Sequence, residues 1–125
     1  MKIIGIDWGE SKIGLAKAEG SLAEPLVVVK PADLKKILLV EKPELIIVGI
    51  SENQSAQKAR DFGTKLQEKL GIKVEFVDET LSTTEAQIRS REAGIGRQKR
   101  RGMEDAYAAA ILLQNYLDNH VSSRT

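Results

Sequence analysis

The stretch KIIGIDWGESKIGLA, Lys2 to Ala16, holds two apolar, β-branched runs separated by the polar turn WGES. They read as two strands, over residues 2–7 and 12–17, joined as an antiparallel hairpin. The first run stops on a carboxylate, Asp7, with Gly9 just beyond it. An acid in that position either ends the strand at solvent, where Asp is a frequent turn former, or is presented to a ligand.

Working outward, apolar β-branched runs alternate with segments of helical period, the pattern of an α/β domain. LVVV, Leu26 to Val29, is a third strand. Pro31 then suits the first turn of a helix with Leu34, Ile37 and Leu38 on one face, ended by Glu41, Lys42 and Pro43. The run over residues 45–50 is almost wholly apolar, as a strand covered on both faces should be. Ala56, Ala59, Phe62, Leu66 and Leu70 recur at spacings of three and four, which predicts a helix over residues 55–70 that Gly71 stops. A fifth strand over residues 73–77 runs into Asp78 and Glu79. Ser82 with Glu85 forms a capping box for a short helix to about Ala93, and the basic, glycine-bounded segment GIGRQKRRG follows. A last helix spans residues 103–119. The expected fold is α/β, a five-stranded mixed sheet with helices on both faces.

The chain has 125 residues, the length of one domain with one core. Its net charge is only +1, but residues 89–101 carry +5 and the remainder −4. An acidic body with one basic segment suits a protein that meets a polyanion at one place, although such a run also serves as solvated surface. The absence of cysteine excludes disulfides, thiolate nucleophiles and zinc–thiolate sites. The only histidine, His120, lies in the polar stretch DNHVSSRT, expected to fray, so histidine-based nucleophilic catalysis is disfavoured. Neither a signal peptide nor a transmembrane span is recognisable, and the expected location is cytoplasmic.

Acids at three places in the sequence stand out. Strands one and five both stop on carboxylates, and helical connections from strand one to four and from four to five would make these strands parallel, with their C-terminal ends aligned. That edge is where open α/β sheets place ligands. Asp105 precedes Ala108, Ala109, Leu112 and Tyr116 at helical spacing, at the start of the stripe that should pack on the sheet. A first-turn acid is also favoured by the helix dipole alone. Together, however, two carboxylates about 5 Å apart repel by roughly 3 kcal/mol at an effective dielectric near 20. A fold that gathers them requires a cation, and hard oxygen donors without His or Cys favour Mg2+ or Mn2+. Such ions activate a water and stabilise the leaving oxygen in phosphodiester cleavage.

Four motifs, GIDWGESKIGLA, IIVGI, VDETLSTTEA and RRGMEDAYAAAILL, stand in an order and spacing similar to those of the YqgF/RuvX family. The resemblance covers nearly the whole chain. The first motif alone is shared with actin-like kinases; the four together are specific. The family comprises small bacterial proteins of the RNase H-like fold, described as Holliday-junction-resolvase-like and assigned to trimming of the pre-16S rRNA 5′ end. By resemblance, Asp7, the pair Asp78 and Glu79, and Asp105 correspond to the family's catalytic, metal-binding acids. Of the pair, Glu79 is favoured as the metal-facing member. Thr83 and Thr84 match the family's threonines, for which a capping or loop-ordering role is favoured over chemistry. Two departures lie beside the expected cleft: VGISENQSAQ lacks the family's proline and acid after the fourth strand, and Thr80 replaces its usual arginine.

The leading expectation is thus a metal-dependent nuclease, a hydrolase with Asp7, Glu79 and Asp105 as its catalytic acids. Its partner would be nucleic acid, a structured rRNA precursor, with Arg97, Lys99, Arg100 and Arg101 contacting phosphates. Branched DNA is the alternative substrate, favoured if the chain is a homodimer rather than a monomer, because two coordinated cuts need two sites. A third reading is a nucleic-acid-binding module without turnover. Gly5, Gly9 and Gly14 are explained by close packing and a tight hairpin as well as by phosphate contact. Trp8 is better suited to anchoring the hairpin than to base stacking.

Overall fold

The computed structural model describes residues 1–50, 56–78 and 102–124. Strands β1 (Ile3–Asp7), β2 (Ile13–Ala18), β3 (Ala23–Val29), β4 (Leu45–Ile50) and β5 (Lys73–Asp78) form one sheet in the order β3-β2-β1-β4-β5. β1 pairs antiparallel with β2 and parallel with β4, and β4 pairs parallel with β5. The hairpin and the aligned parallel ends are therefore as the sequence pattern predicts.

Helices α1 (Leu34–Glu41) and α2 (Ala56–Leu70) cover one face, and α3 (Glu104–Arg124) covers the other. Alternation along β1 supplies both. Ile4 and Ile6 join Leu34, Leu38 and Leu66 under α1 and α2, whereas Ile3 packs with Ala109, Leu113 and Leu117 of α3. β4, apolar throughout, sends Ile46 and Val48 to the first layer and Leu45 and Ile47 to the second. Each fully buried Ile contributes roughly 1.5–3 kcal/mol of transfer free energy.

Three elements differ from the sequence reading. β3 begins at Ala23, three residues before LVVV, and includes Glu24 and Pro25. Proline is tolerated there because β3 is an edge strand, and the pairing with β2 shifts register next to it, between Leu15 and Ala16. Pro31 initiates a 3-10 turn, Pro31–Asp33, that leads into α1. α1 stops where Lys42 turns left-handed (φ 50°), with the Lys42 N–H donating to the Leu38 carbonyl at 2.9 Å. Finally, α3 runs to Arg124 through the polar stretch expected to fray, since each added residue of an existing helix gains a backbone bond.

The stripe of α3 on the sheet centres on Ala106, Ala109 and Leu113, all fully buried. Ala108 is also buried, but with Ile111 and Tyr107, outside the main layer. Gln114, a polar residue in mid-helix, clamps the β2–β3 turn: its Oε1 accepts from the Ala23 N–H at 2.8 Å and its Nε2 donates to the Ser21 carbonyl at 2.9 Å. The backbones approach still more closely at two glycines. A Cβ on Gly5 would lie 2.9 Å from the Leu113 Cβ, and one on Gly14 would lie 2.0 Å from the Asp105 carbonyl oxygen. The Gly14→Ala variant is therefore expected to lose about 1–3 kcal/mol by overpacking, read as a lower urea midpoint; an unchanged midpoint would show that α3 has room to move.

Candidate active site

Asp7 ends β1 and is half-buried. Its parity with Ile3 and Gly5 directs it to the α3 face, as strand alternation requires. Its antiparallel partner on β2 is Gly14, the residue against which the Asp105 backbone packs. Asp105 lies in the first turn of α3, beside Glu104, where the helix dipole favours acids. Gly102 precedes it with φ 82°. The first strand and the last helix thus bring two carboxylates to one open groove of about 300 Å³, lined by Asp7 to Lys12 and by Asp105. The groove lies at the C-terminal end of β1, the edge expected from the crossover argument.

On the same edge, Asp7 is level with Gly49 of β4, and Gly49 with Val77 of β5. Val77 packs against the α3 layer, whereas Val74 and Phe76 pack on the opposite face. Asp78 is the last residue of β5, paired with Ile50, and its side chain is outside the described set. Glu79, Arg97, Lys99, Arg100 and Arg101 lie outside the described residues, as do Thr80, Thr83, Thr84 and the expected helix from Ser82. Among the described residues there is no group of three metal-ligating side chains. Asp7 and Asp105 offer hard oxygen donors without nitrogen or sulfur, a set that fits Mg2+ or Mn2+ rather than a softer metal.

Sequence reasoning missed Lys12. Its Nζ lies 3.5 Å from Asp105 Oδ2. The available signal was parity, because Lys12 is two residues before Gly14 and so shares the face that carries Asp7. Gly9 helps to fold the loop back, since a Cβ there would lie 2.7 Å from the Lys12 carbonyl oxygen. Glu10 is held from the other side by an ion pair with Lys58 of α2.

Trp8, next to Asp7, points the other way. Its ring lies 6.0 Å from that of Phe62 on α2, tilted by 37°. It anchors the hairpin to the helical layer, and the residue is also among those lining the groove. Removing it should cost about 1–3 kcal/mol through lost ring packing. Circular dichroism during urea denaturation of Trp8→Ala checks this; unchanged stability with weakened nucleic-acid binding would assign the ring to base stacking instead.

Two solved structures share this architecture. T. thermophilus RuvC in complex with a Holliday junction substrate matches with TM-score 0.57 and 18% identity, over 97% of this chain and 96% of that one. The Fowlpox virus resolvase in complex with Holliday junction DNA matches with TM-score 0.57 and 12% identity, over 94% and 99%. At these identities the likeness concerns the fold, which is RNase H-like. The sequence comparison is narrower. A family model described as "RuvX: Holliday junction resolvase" matches residues 1–119, and the chain belongs to that family. Among its relatives, a protein of Anaeromyxobacter sp. (strain Fw109-5) is 41% identical over 94% of this chain and 97% of its own. One of Lactococcus lactis subsp. cremoris (strain MG1363) is 32% identical over 95% of each. Both carry the name "Putative pre-16S rRNA nuclease".

Proposed function

We propose that this chain is a divalent-metal-dependent nuclease that hydrolyses phosphodiester bonds in structured RNA, in the 5′-end processing of pre-16S rRNA. The observation that carries this reading is the convergence of Asp7 and Asp105, from opposite ends of the chain, on one groove at the ligand-binding edge of an RNase H-like sheet. The names of the family's relatives supply the substrate class. Glu79 is the third acid of the proposal. Val77 packs against the α3 layer, and Glu79 follows it by two residues in the sequence.

The chain's own contribution is positioning. Asp7 sits on a strand paired on both sides, and Asp105 on a helix whose backbone is seated on Gly14, so the backbone that carries each carboxylate is in place before a ligand arrives. Asp7, Glu79 and Asp105, with Asp78 as a further candidate ligand, would hold a divalent cation, which when bound would supply activation of an attacking water and neutralisation of charge on the leaving oxygen. The water oxygen bonds to phosphorus as the bond to the leaving oxygen breaks, and the leaving oxygen ends as a hydroxyl. Arg97, Lys99, Arg100 and Arg101 bind backbone phosphates.

Branched DNA is the second reading, favoured by the two fold neighbours solved with Holliday junctions. End-labelled structured RNA and a four-way DNA junction, incubated with wild type or Asp7→Asn in Mg2+, Mn2+ or EDTA, separate the readings. Cleavage is expected with either metal, preferentially of RNA, and the variant should lose roughly 10²-fold or more in rate. Preferential junction cleavage would select the DNA reading. Absence of all cleavage with binding intact would leave a non-catalytic module and implicate the departures at Ser51–Ser55 and Thr80. Separately, replacing Lys99, Arg100 and Arg101 by Ala should weaken binding to many nucleic acids and lower the log–log salt slope by about 3 on duplex substrates. A filter-binding titration across salt concentrations checks it; an unchanged slope would make the segment solvated surface.

A further inference from the structure

Lys12 is the one basic side chain that lines the groove among the described residues, and neither the acids nor the basic segment accounts for it. Its Nζ meets Asp105 Oδ2 at 3.5 Å, longer than the roughly 2.7–2.9 Å of a well-formed charge-assisted hydrogen bond. Its side chain is 63% exposed against 31% for Asp105. The ammonium therefore rests on the outer side of the carboxylate, loosely held, on a flexible stem with its remaining donors towards solvent. Its backbone, by contrast, is fixed, with Gly9 packed against its carbonyl and β2 starting at the next residue.

A carboxylate proposed to bind a divalent cation thus already carries a monovalent one, and the two compete for it. We propose that Lys12 is a phosphate-contacting residue of this site, holding Asp105 in the metal-free chain and turning to the backbone of the nucleic acid when a divalent cation takes that carboxylate. The inference rests on the metal-site reading above. It adds a cation at the groove itself, distinct from the basic segment at residues 97–101. The geometry suits both roles, because an anion entering the groove from solvent reaches the exposed ammonium before it reaches the half-buried carboxylates. The anion concerned is the phosphodiester of the nucleic acid.

Trp8, the only tryptophan, lines the same groove and reports occupancy without turnover. Mn2+ titrations by its fluorescence, for wild type, Lys12→Met and Lys12→Arg, read the competition. An exposed ion pair of this kind is worth roughly a two- to fivefold change in an equilibrium constant, so Lys12→Met should bind Mn2+ tighter by about that factor. Binding of a hairpin RNA in Ca2+ should weaken in Lys12→Met, with the log–log salt slope smaller by about 1, and should persist in Lys12→Arg. Wild-type Mn2+ binding with an unchanged affinity in Lys12→Met would overturn the counter-ion role. An unchanged salt slope would overturn the phosphate contact. A wild type that binds no Mn2+ would overturn the metal site and this proposal together, which distinguishes the two failures.

Discussion

The helix α3 lies on the sheet more closely than any side chain at position 14 permits. The space that a Cβ would occupy on Gly14 is 2.0 Å from the Asp105 carbonyl oxygen, far inside the roughly 3.5 Å of ordinary contact. Such an approach needs small residues on both surfaces, and the chain provides them: Gly5, Gly14 and Ala16 on the sheet, Ala106 and Ala109 on the helix. The site depends on this packing. Gly14 is the cross-strand partner of Asp7, so seating the first turn of α3 on Gly14 fixes Asp105 beside Asp7. Two acids line one groove because a helix and a hairpin interlock.

The parallel half of the sheet completes the frame. Asp7, Gly49 and Val77 stand level across β1, β4 and β5, so β5 lies roughly 10 Å from β1 at two strand spacings. The middle position is a glycine, which puts no side chain between them on the α3 face.

The strands were legible wherever burial dictates composition. β4 is apolar because both faces are covered, and α2 declares its buried side through Ala59, Phe62 and Leu66. What eluded the sequence depends on tertiary position. Glu24 and Pro25 resemble a turn until β3 is known to be an edge, and Gln114 resembles a surface residue until the β2–β3 turn is seen to need its amide. Of the stripe expected on α3, Ala109, Leu112 and Tyr116 join the layer on the sheet and only Ala108 lies outside it, because the helix is apolar all round from Ala106 to Leu113 and periodicity has little to distinguish there. Asp7 and Asp105 were recognisable as strand-end and helix-start acids. Lys12 was missed because its one signal, parity with Gly14, points to the site only once the register pairs Gly14 with Asp7.

In the proposed reading, charge gives the acids and the basic segment complementary parts. A groove lined by carboxylates repels a phosphodiester, so the acids by themselves give a polyanion no affinity. Attraction has to come from nearby cations that do not bind the reacting phosphate's metal. The chain places them next to each other in sequence, with Arg101 four residues before Asp105. The start of α3, held on Gly14, therefore fixes the backbone that carries Asp105, and a displacement of that helix would move this residue relative to Asp7.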